Sequence, residues 1–256
     1  MRIGTVKELK NHEYRVGITP DNVLTFVKAG HEVFVERGAG DGASFTDDEY
    51  ASNGAVIIDS AADVWTKCEM IIKVKEPLEE EYKYLRSDLI LFTYLHLAPN
   101  KPLSDALIAS GCRAVAFETI CDADGALPCL RPMSQVAGRL SIQEGAKYLE
   151  RPFGGRGLLL GGVPGVERGN VVIIGGGVAG TYAAKAAVGM DANVTLLDVN
   201  LNRLMYLDDV FGASVSTLYS TEANIKKSLA EADLVIGSYS SPALPLQNWS
   251  EKSISS

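Results

Sequence analysis

Short apolar runs alternate with longer stretches of helical spacing along the whole chain, the rhythm of α/β architecture with parallel sheets. In the first half, the runs Arg2–Val6, Glu32–Glu36, Ala55–Ile58, Met70–Val74, Leu89–Tyr94 and Arg113–Phe117 predict strands. Pro20–Ala29, Asp47–Asn53, Pro77–Leu85 and Pro102–Ser110 predict the intervening helices. Val136, Leu140, Ile142, Ala146 and Leu149 share a helical face, so one longer helix is expected from about Ser134 to Leu149. From Asn170 the pattern becomes regular: strands Asn170–Gly175, Asn193–Asp198, Ser214–Leu218 and Leu234–Gly237, with helices Val178–Met190, Asn200–Leu207 and Glu222–Ala230 between them. That is the first half, and a little more, of a dinucleotide fold. The expected organisation is a substrate or catalytic domain over 1–130, an incomplete Rossmann domain over 131–237, and a tail over 238–256.

Composition fits a globular domain with a core, at 46% hydrophobic and 22% charged residues. A formal net charge of −8 disfavours nucleic acid and anionic lipid as partners. No apolar run reaches the roughly 20 residues of a membrane helix, and no signal-peptide pattern stands at the start. Cys68, Cys112, Cys121 and Cys129 form no CxxC pair and are expected as buried or half-buried free thiols in a reducing cytosol. His12, His31 and His96 are too scattered to suggest a metal site.

Gly175-Gly176-Gly177-Val178-Ala179-Gly180 satisfies GxGxxG. Alone this is a weak signal, but here it follows a buried strand, opens a helix, and is followed by Asp198 at the end of the next strand. Gly175 makes the turn, Gly177 admits a pyrophosphate to the backbone, and Gly180 lets helix and strand pack closely. The helix start attracts phosphate. Asp198 suits ribose hydroxyls and repels a 2′-phosphate, so the expected cofactor is NAD rather than NADP. The competing reading is a ligand-free turn with Asp198 capping the next helix.

Arg15 lies in a polar segment after the first strand, while Lys75 and His96 each follow the C-terminal end of an apolar strand. Ligands of open α/β sheets bind beyond those ends, so Lys75 and His96 are candidates for one crevice with Arg15 in reach. The set suits a small keto or amino acid. Arg15 can fork onto a carboxylate, Lys75 can pair with it or polarise a carbonyl, and His96 can shuttle a proton. Each also has a plainer reading: a surface ion pair, a solvated lysine before Glu76-Pro77, and a loop histidine bonded to backbone. The pattern alone does not choose.

Longer blocks do. Lys7-Glu8-Leu9-Lys10-Asn11, Arg15-Val16-Gly17-Ile18-Thr19-Pro20, Lys73-Val74-Lys75-Glu76-Pro77, Thr93-Tyr94-Leu95-His96-Leu97-Ala98, Pro132-Met133-Ser134-Gln135 and Gly161-Gly162-Val163-Pro164-Gly165, with the glycine turn, closely resemble the alanine dehydrogenases from Met1 to about Gly237. The resemblance implies substrate-binding roles for Arg15 and Lys75 and makes His96 the proton donor and acceptor. It makes Ser134, Asp198 and Ser220 contacts of NAD and sets Arg203 near the adenosine. The implied reaction is reversible oxidative deamination of L-alanine to pyruvate and ammonia, in a cytoplasmic homohexamer. The transhydrogenase α subunit is the nearest rival, and Leu95-His96-Leu97-Ala98 favours the dehydrogenase.

After Gly237 the resemblance stops. Tyr239 to Ser250 can be encoded so that a shifted frame reads Leu-Ile-Pro-Gly-Ser-Ala-Ala-Pro-Lys-Leu-Val, close to the continuation expected of the family. The expectation is a frameshift that removes part of the active site and impairs activity. The alternative is an inactive fragment that binds nucleotide only.

Overall fold

The computed structural model describes residues 1–238. Residues 239–256, on which the frameshift expectation falls, lie outside the described residues. Two compact units are present, Met1–Cys129 and a second beginning at Leu130.

The first unit holds β1 (Arg2–Thr5), α1 (Pro20–Lys28), β2 (Glu32–Glu36), α2 (Asp47–Ser52), β3 (Val56–Ile58), α3 (Ala61–Lys67), β4 (Met70–Ile72), β5 (Ile90–Thr93), α4 (Lys101–Ser110) and β6 (Arg113–Ala116). All pairings are parallel, in the order β3-β2-β1-β4-β5-β6. The order reverses between β1 and β4, which makes a crevice at their C-terminal ends the natural ligand site. Helix starts are set locally. Thr19 with Asn22, and Thr46 with Glu49, form reciprocal capping boxes, and Asn100 caps α4. Gly111 closes α4 in the left-handed conformation that glycine adopts without penalty (φ 66°).

Two elements differ from expectation. Helix α3 has no counterpart in the sequence pattern, because seven residues are too few for a clear period. Val64, Trp65 and Cys68 nevertheless bury completely with Ile71 and Leu91. The segment expected as a helix over Pro77–Leu85 is a 3-10 helix, Glu79–Tyr84.

The second unit holds α5 (Arg131–Tyr148), β7 (Asn170–Ile174), α6 (Val178–Gly189), β8 (Asn193–Asp198), α7 (Leu201–Phe211), β9 (Val215–Tyr219), α8 (Glu222–Glu231) and β10 (Leu234–Gly237). Its parallel sheet runs β10-β7-β8-β9. β7 is apolar from Val171 to Ile174 because both its faces are covered. Val171 and Ile173 join the cluster beneath α6, while Val172 packs with Leu197 and Ile225 on the other side. Each such buried side chain contributes roughly 1.5–3 kcal/mol. Helix α5 begins at Arg131 rather than at Ser134, so Ser134 is already within its first turn. α5 seats tightly on α6: a Cβ on Gly138 would fall 2.2 Å from the Ala179 carbonyl oxygen.

All four cysteines are free thiols. Cys121 is exposed, against the expectation of burial, because its segment follows β6 in a loop. No helix among the described residues is long and apolar enough to cross a membrane.

Candidate active site

In the first unit, the chain leaves the sheet at the ends of the adjacent strands β1, β4 and β5 and presents its charged side chains there. Lys75 and His96 line one cavity of about 400 Å³, together with Lys10, Glu76, Pro99 and Asn100. Arg15 does not line this cavity. Its guanidinium grips Glu13 with two bonds, Nε to Oε1 at 2.8 Å and Nη2 to Oε2 at 2.6 Å. The Arg15 hydrogen bond, outweighing the effect of burial, holds the Glu13 carboxyl below its usual pKa, and the Lys75 charge acts in the same direction. The Glu13 hydrogen bond in turn raises the Arg15 pKa, and the charges of Glu13, Tyr94 and Glu8 act in the same direction.

The loop that carries Lys75 is fixed from beneath by groups to which the sequence reading gave no role. Lys73 is fully buried, with Nζ 2.7 Å from Glu81 and 3.6 Å from Glu8. Glu8 accepts the backbone N–H of Val74 at 2.6 Å and of Lys75 at 3.4 Å. The second Glu81 oxygen accepts the Leu78 N–H at 2.9 Å. Burial pushes the Glu8 pKa up while Lys73 opposes it. The residue types were visible in Lys7-Glu8 and Lys73-Val74-Lys75. Their pairing was not, because it crosses from β1 to β4.

His96 sits in a left-handed backbone conformation (φ 47°). Such a conformation persists when its surroundings fix it. Here Glu118 Oε1 accepts the N–H of Leu95 at 3.0 Å and of His96 at 2.8 Å. The ring Nδ1 lies 3.3 Å from Glu76 Oε2, and Lys10 Nζ lies 2.5 Å from Glu76 Oε1.

In the second unit, the glycine turn is closed at Gly175 (φ 103°). A Cβ on Gly180 would sit 1.8 Å from the Gly175 carbonyl oxygen, so only glycine permits this approach of helix to strand. A Cβ on Gly177 would meet nothing within 4 Å, which leaves an open cradle over the start of α6. Gly177 offers no side-chain cap, so the first N–H groups of α6, from Val178 and Ala179 onward, remain for an anion. Asp198 ends β8 as expected. It accepts the Gly176 N–H at 2.5 Å and the Asn200 N–H at 2.8 Å, so it both pins the turn and steadies the start of α7. A carboxylate retains lone pairs beyond these two bonds. Ser220 donates its backbone N–H to the Asp198 carbonyl at 3.0 Å and so lies next to it. Arg203 folds onto the turn, donating to the Gly176 carbonyl at 2.5 Å and to Thr181 Oγ1 at 2.6 Å. Ser134 lies on α5 one turn before Gly138, the residue that meets α6.

Two family models match the chain. Alanine dehydrogenase/PNT, N-terminal domain, covers residues 4–137, and Alanine dehydrogenase/PNT, C-terminal domain, covers residues 141–247. Alanine dehydrogenase of Methanococcus maripaludis is 56% identical over 237 residues, covering 93% of this chain and 64% of that protein. Alanine dehydrogenase of Geobacillus stearothermophilus is 54% identical over 238 residues, with the same 93% and 64% coverage. A solved L-alanine dehydrogenase superposes with a TM-score of 0.87 at 54% identity, covering 92% of this chain and 65% of its own. A transhydrogenase from Sinorhizobium meliloti, 24% identical with a TM-score of 0.81 over 96% of this chain and 71% of its own, shares the fold. The chain thus spans about 64% of the length of the relatives it matches.

Proposed function

The chain belongs to the alanine dehydrogenase/PNT family, and from that membership we propose that it serves the reversible, NAD-dependent oxidative deamination of L-alanine to pyruvate and ammonia. One observation carries the reading: Lys75 and His96 share a cavity at the C-terminal ends of adjacent strands, and Arg15 joins them in the proposed site although it does not line that cavity. A cation pair for a carboxylate next to a proton carrier is what a small amino or keto acid requires.

The fit to a dinucleotide rests on the open space above Gly177 and on the uncapped N–H groups of α6, which suit a pyrophosphate. Asp198 takes the adenosine ribose hydroxyls on its remaining lone pairs and disfavours a 2′-phosphate. Ser134 and Ser220 act as further contacts, and Arg203 keeps the turn in shape from the adenosine side. When bound, NAD supplies the acceptor for the hydride that leaves the alanine Cα. Arg15 and Lys75 hold the substrate carboxylate and so orient that Cα. His96 takes a proton from the water that adds to the imine carbon and returns one as ammonia departs. His96 also separates this reading from a transhydrogenase, which needs no acid–base group there. The accompanying assembly is a homohexamer, which light scattering on the purified chain tests.

Binding and turnover are tested separately on the 256-residue chain. NADH and NADPH titrations by nucleotide fluorescence are expected to favour NADH, and preference for NADPH would overturn the role of Asp198. Alanine-dependent NAD reduction, lost in H96Q and weakened chiefly in KM in R15K and K75M, supports the proposed reaction. Because the chain spans 64% of its relatives, a second reading stands beside the first: nucleotide binding without turnover. Tight NADH binding with no alanine-dependent reduction would select it.

A further inference from the structure

The backbone of His96 is fixed by Glu118, but its ring needs an anchor of its own. Glu76 lies beside it with a side chain only 9% exposed. Glu76 Oε1 is taken by Lys10 at 2.5 Å. Oε2 is buried and has no hydrogen-bond donor among the described residues. It stands 3.3 Å from His96 Nδ1, within charge contact but off hydrogen-bond alignment. A buried acceptor left without a donor is costly, and a small turn of the imidazole would satisfy this one. None of the other groups facing the ring donates to this oxygen. Lys10 is bonded to Oε1, and Lys75 shares the cavity without a hydrogen bond to Oε2. The Tyr94 ring lies 6.0 Å from the imidazole with its hydroxyl bonded to the Cys129 carbonyl. Glu118 is occupied by backbone N–H groups.

We propose that Glu76 is a positioning residue for His96: its Oε2 accepts the Nδ1 proton, which leaves Nε2 as the atom that takes and returns protons. This rests on the acid–base role given to His96 above. Neutral His96 then carries its proton on Nδ1 and keeps the Nε2 lone pair for a proton from water. The imidazolium that results sits against a carboxylate, and the same proton leaves from Nε2. Glu76 stays ionised in this scheme. Burial works to raise its pKa, but the Lys10 hydrogen bond, its own backbone N–H and the charges of Lys10 and His96 together bring it below the ordinary value. Lys10 is thereby the group that keeps Glu76 available to His96.

The test is nitrogen NMR of the histidine rings in the labelled 256-residue chain, with H96Q assigning His96 among the three histidines. Neutral His96 is expected as the Nδ1–H tautomer. In E76Q the preference for the Nδ1–H tautomer is expected to weaken, because an amide oxygen is a poorer acceptor than a carboxylate. The tautomer of His31, which contacts the N-terminus instead, should not change. An Nε2–H tautomer in the wild type, or an unchanged His96 tautomer ratio in folded E76Q, overturns the proposal. Should E76Q not fold, the wild-type tautomer decides alone. The tautomer is read without turnover, so its failure is distinct from failure of the His96 role, which H96Q kinetics test.

Discussion

Glu8 Oε1 accepts the Val74 backbone N–H at 2.6 Å although 66 positions separate the two residues. The bond ties the end of β1 to the end of β4, the two strands between which the sheet order reverses. It also carries Lys75, because the other Glu8 oxygen receives the Lys75 N–H. Glu8 is buried and compensated by Lys73. Removing Lys73 leaves Glu8 and Glu81 buried without their cation, so Lys73→Met is expected to destabilise by roughly 3 kcal/mol or more, the range for breaking a buried ion pair. Removing Glu8 leaves Lys73 with Glu81 but takes the acceptor from the Val74 and Lys75 N–H groups, so Glu8→Ala is expected to cost less, about 1–3 kcal/mol. Urea unfolding of the two variants checks this, and losses near zero would show that the network is not what holds the Lys75 loop.

Gly177 and Gly180 separate folding from binding. At Gly180 an added methyl meets the Gly175 carbonyl, backbone against backbone, with no flexible neighbour to yield. Gly180→Ala should therefore lower stability and NADH affinity together. At Gly177 the methyl enters empty space from an ordinary extended backbone. Gly177→Ala should keep stability within about 1 kcal/mol, since alanine in place of a glycine cap is a mild change. It should still weaken NADH binding, because the methyl occupies the approach of the pyrophosphate. Thermal melts and nucleotide titrations of the pair provide the check.

Arg15 and Glu13 predict an acid-side effect. The Glu13 pKa is lowered in the folded protein, chiefly by its hydrogen bond to Arg15. A group of this kind stabilises at pH above its unfolded value, about 4.3, and loses that contribution as pH falls through the lower folded value. The stability difference between wild type and Glu13→Gln should therefore be constant near neutrality and shrink below about pH 4. Paired denaturation curves across that range test the sign, and a difference that grows on acidification would refute it.

The thiols should react in order of burial. Cys68 is fully buried, and desolvation pushes its pKa up to about 12. Thiolate is the reactive form. Cys121 is exposed. With an aromatic disulfide reagent at mildly alkaline pH, Cys121 should be labelled promptly and Cys68 only after unfolding. Peptide mass mapping reads this directly.

Local signals in the chain determined the order of strands and helices, the turn from Gly175 to Gly180, and Asp198 at a strand end. Each depends on residues a few positions apart, where steric and hydrogen-bond preferences act without the rest of the fold. Lys75 and His96 were legible for the same reason: both follow apolar strands, and parallel strands bring their ends to one side. α3 leaves little trace in the pattern because seven residues give little period, and the preference of serine for helix starts points to Ser134, although α5 starts at Arg131. Only the tertiary structure decided that β1 lies beside β4 and β4 beside β5. From that follow the Glu8–Lys73–Glu81 network and the approach of Glu76 to His96. These contacts join residues from separate strands and loops, and their energies arise from burial and charge pairing that exist only once the sheet has formed.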